Sequence, residues 1–513
     1  MKKLLFILLG LFISLSGFSI GNINRVFANN KSIYSTYLNK NVKHIDNSTY
    51  SPTLIFKGDK SSYFENKNIT SYFYDVLVEV DDDLQVNIDQ KNLHLTEYLN
   101  NYIKGKYVPI VSLSDSNVDT FIDYFKNSYT FMDMIVLSKS ISVLDKLYKD
   151  KNTHLLSSAY DISSLKLESN QFDNWKYVKE ANKVGCNILL VNSHDENLKV
   201  AASYFSSMTK VAWAISDSEI MDAYIPTSGC MGIISNNPTR TLDTLSKFDE
   251  KGRLSSQKLS AHRGITGYAN ENSLSSCMFA SSEGASHIEI DLQICKDGEI
   301  VLCHNSQTNY NSNKNGWYFV NLTYEQLQKA TLNDYCDKYN ETYAKLSTLI
   351  ENIMYTDVIV ICELKFDNGS KKAVEDLKCI ETLKLLMDKY PEFFGHWFAI
   401  TFYAPLAEKM QELMPEVPVG YLGGATSELE KEQSISGWSK GGGHKQLTDY
   451  ANKIKFLRYY NLSLDETFDE KNGDGKYYFD LTCDFYMARG YLQNTWTYED
   501  LSHLDNKTNI ATS

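Results

Sequence analysis

The stretch "KLSAHRGITGYANENSLSS", Lys258 to Ser276, gives a short apolar strand an unusual end. A buried strand has no structural need for His262 and Arg263 at its tip, and the pair reads as an anion site. From Leu254 onward, β-type runs alternate with helix-like segments such as AEKMQELM. The runs are KLSAHRG, ASHIEIDLQI, DVIVICELK, HWFAITFYA, VPVGYLGG, IKFLRYYNLSL, YLQNTWTY and TNIATS. Eight such runs joined by crossover helices predict a parallel (β/α)8 barrel. In that architecture the chemistry sits at the carboxyl ends of the strands.

The polar residues follow that rule. His262 and Arg263 close the first run. Glu289 and Asp291 end the second, two apart and therefore on one face. Glu363 and Lys365 do the same in the third. Between them, "EIDLQICKDGEIVLCHN" carries a hairpin signal at Lys-Asp-Gly. A turn at Asp297 and Gly298 would set Asp291 opposite His304. One rim then gathers two histidines, three carboxylates, an arginine and a lysine. Three carboxylates packed together repel unless a cation lies among them. Hard oxygen donors favour Ca²⁺ or Mg²⁺ over zinc. Two histidines supply general acid and general base, and Arg263 and Lys365 can hold a phosphate. The set suits hydrolysis of a phosphodiester.

At 513 residues the chain fits two domains of roughly 200–250 residues each. Its formal charge of −13 offers no basic surface for nucleic acid or anionic lipid. The first residues, with Lys2 and Lys3 before an apolar run from Leu4 to Phe18, resemble a secretory signal peptide ending at Ala28. Export, with no membrane span after processing, is the expectation. The nine cysteines form no CxxC pair, so neither a zinc site nor a disulfide framework is expected.

The order HRG, ENS, EIDLQICKDG, LCHN and CELK resembles the glycerophosphodiester phosphodiesterase family. "FAITFYAPLAEKMQELMPEVPVGYL" and "NTWTYED" extend the likeness across Leu259 to Ser513. It implies a TIM-type barrel with one divalent cation, Ca²⁺ or Mg²⁺, held by Glu289, Asp291 and Glu363. His262 and His304 would be the acid–base pair, Arg263 and Lys365 the phosphate contacts, and Trp496 part of the pocket wall. The implied reaction uses the substrate's neighbouring glycerol hydroxyl as nucleophile and passes through a cyclic phosphate that water opens. Asn270 stands where the family usually has proline, and Asn305 where aspartate is common. Small glycerophosphodiesters and glycerol-phosphate polymers of a Gram-positive wall (teichoic acid) both fit as substrates. A related barrel phospholipase acting on intact lipid, with Trp438 in a rim loop, is the competing enzyme reading. A non-catalytic binding protein is the third.

Residues 30–250 read as a degenerate copy of residues 254–513, so the chain is expected to hold two barrels in tandem. "DVLVEVDDDLQVNID" parallels "SHIEIDLQICKDGEIVLCHN", and "TLIFKGD" falls where "LSAHRGI" falls. In that alignment Phe56 and Lys57 replace His262 and Arg263, and Ser112 and Ser114 replace Glu363 and Lys365. Glu79 and Asp81 persist, and Trp213 takes the place of Trp496. This half is expected to be non-catalytic, and recognising a polymer, buttressing the active barrel and forming a dimer face are all open roles for it. Elsewhere, Trp317 reads as packing or pocket wall, Asp469 to Asp480 as a polar turn rather than a calcium loop, and Gly441 to His444 as a loop.

Overall fold

The computed structural model describes residues 52–421, except 74, 104–106, 128–133, 154–155, 248–257, 309–311, 333–340, 367–376 and 402, together with three later strands, 461–465, 492–496 and 510–512. The expected leader at 1–28, Trp438, Gly441 to His444 and Asp469 to Asp480 lie outside the described residues.

The first half is a closed parallel barrel. Its strands are β1 (Thr53–Lys57), β2 (Asp75–Glu79), β5 (Val108–Ser112), β6 (Ile135–Ser138), β7 (Ser157–Asp161), β8 (Ile188–Val191), β9 (Val211–Ser216) and β10 (Gly232–Ser235), with β1 paired to both β2 and β10. A small hairpin, β3 (Gln85–Ile88) with β4 (Lys91–His94), stands apart. Helices follow most strands because the apolar runs on the strands leave a second, outer face to bury. The interior is filled by Ile55, Leu77, Ile110, Leu137, Leu190 and Trp213. Gly232 pairs with Trp213, and any side chain at Gly232 would collide with the indole.

In the second half every one of the eight predicted runs holds a strand. These are β11 (Lys258–His262), β12 (His287–Ile294), β14 (Ile359–Leu364), β15 (Trp397–Thr401), β16 (Val419–Tyr421), β17 (Asn461–Asp465), β18 (Leu492–Trp496) and β19 (Ile510–Thr512). They form one curled parallel sheet in the order β16-β15-β14-β12-β11-β19-β18-β17. The two end strands, β16 and β17, are not paired with each other among the described residues. The short β13 (Ile300–Leu302) pairs antiparallel to β12. Alternate residues split the strands' burial. Ile288, Ile290, Val360, Cys362 and Ala399 pack outward with helices such as Leu346–Ile353.

Two expectations shift by a register step. The hairpin pairs Leu292 with Leu302 and Ile294 with Ile300, so Asp291 faces Cys303 and not His304. The cause is the turn: Cys295 N donates to Glu299 O at 2.8 Å, and Gly298 takes a left-handed φ of +86°. That closes a three-residue loop, Lys296 to Gly298, instead of a two-residue one. His304 lies just past the strand. The second shift concerns the two halves. Ser112 pairs with Glu79 as Glu363 pairs with Asp291. With those ladders matched, Lys57 rather than Phe56 stands at the level of His262, and Leu77 rather than Glu79 at that of Glu289. Phe56 packs on the outer side, against Tyr63, Phe64, Phe73 and Tyr107.

Just before β15, His396 is buried, stacked 3.5 Å from the Phe172 ring of the first half. Burial pushes its pKa down to about 4, against an ordinary value of about 6.5. Above pH ~6.5 it is neutral whether folded or unfolded and costs nothing. As pH falls from ~6.5 to ~4 only the unfolded chain takes the proton, so stability drops, by on the order of 3 kcal/mol. Urea unfolding at pH 7.5 and pH 4.5 should therefore show a smaller acid-induced loss in His396→Phe than in the parent. An equal loss in both would refute the assignment.

Candidate active site

The turn after β11 is built from left-handed backbone. Arg263 has φ +58°, Gly264 +83° and Asn272 +55°. A Cβ on Gly264 would lie 2.6 Å from the carbonyl carbon of Ser276, so this position admits only glycine. Asn272 N donates to Arg263 O at 2.9 Å, and Ser276 Oγ donates to the same oxygen at 3.1 Å. These bonds hold the loop folded back onto the strand tip. They also explain why Glu-Asn-Ser follows His-Arg-Gly so closely.

Each residue of Glu271-Asn272 grips a member of the site. Glu271 Oε2 accepts from Arg263 Nη1 at 2.8 Å. Asn272 Nδ2 donates to Asp291 Oδ2 at 2.9 Å, while Asn272 Oδ1 accepts from Asp291 N at 3.0 Å. The amide thus clamps both ends of one aspartate. The Glu-Asn-Ser stretch alone assigns neither residue this role. Spacing does not show that a loop asparagine folds back across the sheet.

The parallel ladder sets Asp291 beside Glu363, with Glu289 one pleat below. Carboxylate oxygens of Glu289, Asp291 and Glu363 lie within 4.8 Å of one another, all buried. Lys365 Nζ lies 2.5 Å from Glu363 Oε1 and 3.4 Å from Asp291 Oδ1. Arg263 Nε lies 3.3 Å from Asp291 Oδ2, and the Arg263 backbone N–H donates to Glu289 Oε2 at 3.2 Å. Burial, reinforced by the neighbouring carboxylates, drives the pKa of Glu289 well up, and that of Glu363 to about 7. Asp291 Oδ1 and Glu363 Oε1 are buried with no hydrogen bond of ordinary geometry, despite the lysine beside them. Buried anionic oxygens in an all-carboxylate cluster are donors of the kind a hard divalent cation takes. The residues present fit such an ion.

The imidazoles flank this cluster. His262 Nε2 lies 3.9 Å from Glu289 Oε2 and remains partly open to solvent. Burial, with repulsion from Arg263 and His304, pushes its pKa down to about 4 against the pull of Asp291. His304 is also lowered by burial, and its field includes Asp291, Lys365 and Arg263. Its Nδ1 lies 3.0 Å from Asn305 Oδ1, and Gln293 Nε2 reaches its carbonyl oxygen at 3.4 Å. Both rings are therefore neutral near pH 7 and able to take a proton. The structure thus brings together His262, Arg263, Glu289, Asp291, His304, Glu363 and Lys365. Trp496 ends β18, paired with Asp465 and Thr512, and its side chain lies outside the described residues.

Residues 262–507 match the model of the glycerophosphoryl diester phosphodiesterase family. Relatives include a glycerophosphodiester phosphodiesterase of Bacillus altitudinis, 33% identical over 97 residues, 19% of this chain and 38% of that protein. Human glycerophosphodiester phosphodiesterase 1 is 25% identical over 187 residues, 35% of this chain and 52% of that protein. The chain spans about half or less of these relatives' length. Among solved structures, an Oleispira antarctica phosphodiesterase in complex with the product sn-glycerol-3-phosphate shares 21% identity at a TM-score of 0.37, over 50% of this chain and 92% of that one. The Thermotoga maritima glycerophosphodiester phosphodiesterase shares 17% at a TM-score of 0.36, over 50% of this chain and 95% of that one.

Asn272 is the clamp most open to test. Asn272→Ala removes both bonds to Asp291, leaving its backbone N–H unpaired and its buried Oδ2 with only the Arg263 ion pair. A loss of roughly 2–3 kcal/mol in folding stability follows. Calorimetry of the metal-free protein should show it, and Asn272→Asp should be worse, because it adds a fourth carboxylate. An unchanged melting temperature for Asn272→Ala would count against the clamp.

Proposed function

We propose that the second half hydrolyses glycerophosphodiesters to glycerol phosphate and an alcohol. The observation that carries this reading is the buried Glu289–Asp291–Glu363 cluster, ringed by Arg263, Lys365 and two neutral imidazoles, inside a domain of this family. Glu289, Asp291 and Glu363 would hold one divalent cation, Ca²⁺ or Mg²⁺. When bound, that ion supplies positive charge for the phosphoryl oxygens.

Arg263 and Lys365 orient the phosphate, Arg263 as a planar fork already fixed by Glu271. One imidazole accepts the proton of the glycerol hydroxyl as its oxygen attacks phosphorus. The other must enter this step as imidazolium, a form favoured by the negative charge of the arriving phosphate, and it gives that proton to the departing alcohol as its P–O bond breaks. The roles then reverse as water opens the cyclic phosphate. His262, at the strand tip and partly open, and His304, oriented by Asn305, are the two carriers.

The first half lacks these groups. At the matched ladder positions it has Lys57, Leu77 and Ser112 for His262, Glu289 and Glu363, and only Glu79 recurs, for Asp291. Its interior is filled with apolar side chains. We take it as a non-catalytic relative of the second, and the second sheet as the wall of a second barrel. No helix among the described residues is long and apolar enough to cross a membrane. The leader-like start supports export to the cell surface or beyond, where wall glycerol-phosphate polymer and deacylated lipid are both substrates to offer.

The test supplies glycerophosphocholine, glycerophosphoethanolamine, a glycerol-phosphate oligomer and intact phospholipid, each with and without chelator. Glycerol phosphate release that chelation abolishes and Ca²⁺ or Mg²⁺ restores is the expected result. His262→Ala and His304→Ala should each lower the rate by about 10²–10⁴-fold. Release from intact lipid alone would replace this reading with a phospholipase. No turnover of any substrate with metal present would leave a binding protein.

A further inference from the structure

The contacts between the two halves are not scattered. Lys258 Nζ meets Ser203 Oγ, and His287 Nε2 lies 3.1 Å from Ser207 O. Gln171 Nε2 donates to Asp357 Oδ1 at 3.2 Å, Tyr204 OH to Gly395 O at 2.8 Å, and Asn182 Nδ2 to Glu416 O at 2.6 Å. On the second half these residues start or immediately precede β11, β12, β14, β15 and β16. Those five strands are consecutive neighbours in the sheet. On the first half the partners lie on two outer helices, Trp175–Lys183 and Leu198–Ser207, and on the short turn Gln171–Asn174 that leads into the former.

The apolar packing has the same pattern. Ile359, Ile361, Phe398 and Ile400 lie on the sheet face that carries the carboxylates, at and below their level. They are buried in one continuous cluster with the first half's helix residues, Tyr204 and Phe205 included, and not in the cluster behind the sheet. Gly395 marks how close the approach is. A Cβ there would lie 3.0 Å from Tyr204 Oη and 3.3 Å from Trp175 Cβ.

We infer that the first half is a permanent floor for the second: its two outer helices seal the amino-terminal end of the sheet whose carboxyl-terminal end carries the active site. The partner that this helix face fits is the base of the neighbouring sheet in the same chain. A free ligand or polymer has no room there. This role holds whether or not the proposed hydrolysis is correct.

The test uses the full chain, with a protease site introduced between residues 250 and 254 and cut after folding. The nicked protein is run on size exclusion at nanomolar concentration, without denaturant. The two fragments should co-elute as one species of the parent's size. The pair Phe172→Ala with Tyr204→Ala should separate them, or weaken their association at least 100-fold. Because that pair could disturb the first half itself, Gly395→Leu is made in parallel on the other side of the contact. It should weaken association similarly while the first fragment keeps its own melting transition. Fragments that part at nanomolar concentration in the unmutated protein, or that stay together in both variants, would overturn the inference. Neither readout depends on turnover, so failure here is distinct from failure of the catalytic reading.

Discussion

Three carboxylates whose oxygens sit within 4.8 Å of one another, buried at adjacent strand ends, are the constraint around which the second half is organised. At that separation each pair of full charges repels by about 3–4 kcal/mol, even at an effective dielectric of 20. Arg263 and Lys365 offset part of this, and protonation could absorb more, as the raised pKa values of Glu289 and Glu363 indicate. A fold that buries such a cluster without a bound cation gives up stability. One that binds a divalent ion turns the same repulsion into affinity. The neutral, burial-depressed imidazoles fit this picture, since a positively charged ring beside the cluster would compete with the ion.

Holding the cluster requires backbone that most residues avoid. Arg263 and Asn272 both take left-handed conformations at a cost of order 1 kcal/mol each. The strain persists because the loop between them closes on itself. Asn272 N and Ser276 Oγ share the Arg263 carbonyl, and Gly264 leaves space for Ser276. The side chains of Glu271 and Asn272 then reach back to Arg263 and Asp291. Strand, turn and loop form one hydrogen-bonded unit, in which the cationic and anionic sides of the site are set by neighbouring residues of the same loop.

What could be read from residues alone followed the periodicities. Eight apolar runs gave eight strands, and the two-residue spacing of Glu289–Asp291 and Glu363–Lys365 put each pair on one face. Registers were less legible, because a turn's length depends on backbone angles that composition does not encode. A left-handed Gly298 turned a two-residue loop into three and moved Asp291 from His304 to Cys303. The alignment of the halves slipped for a related reason. Alternating apolar strands match nearly as well one or two residues out of step, and only the ladders show that Phe56 points outward. The roles of Glu271 and Asn272 were hidden because they act across the sheet. The contact between halves was hidden too, because it uses residues as ordinary as Tyr204 and Gly395.

Support and chemistry occupy opposite ends of the same short strands. From His287, which touches the first half, to Asp291 in the carboxylate cluster is four residues of β12, roughly 13 Å of extended chain. Ile359 and Ile361 bridge the same interval on β14 below Glu363, and Phe398 and Ile400 do so on β15. Close-packed apolar side chains are barely compressible and transmit displacement from one end to the other, so a moving base would disturb the cluster above it. Here the lower end is fixed by a separate, closed barrel whose own interior is full. The sheet thereby gains a rigid base directly beneath the residues that must hold charge against charge. The contacts to that barrel among the described residues lie at the lower end, away from the carboxylate cluster.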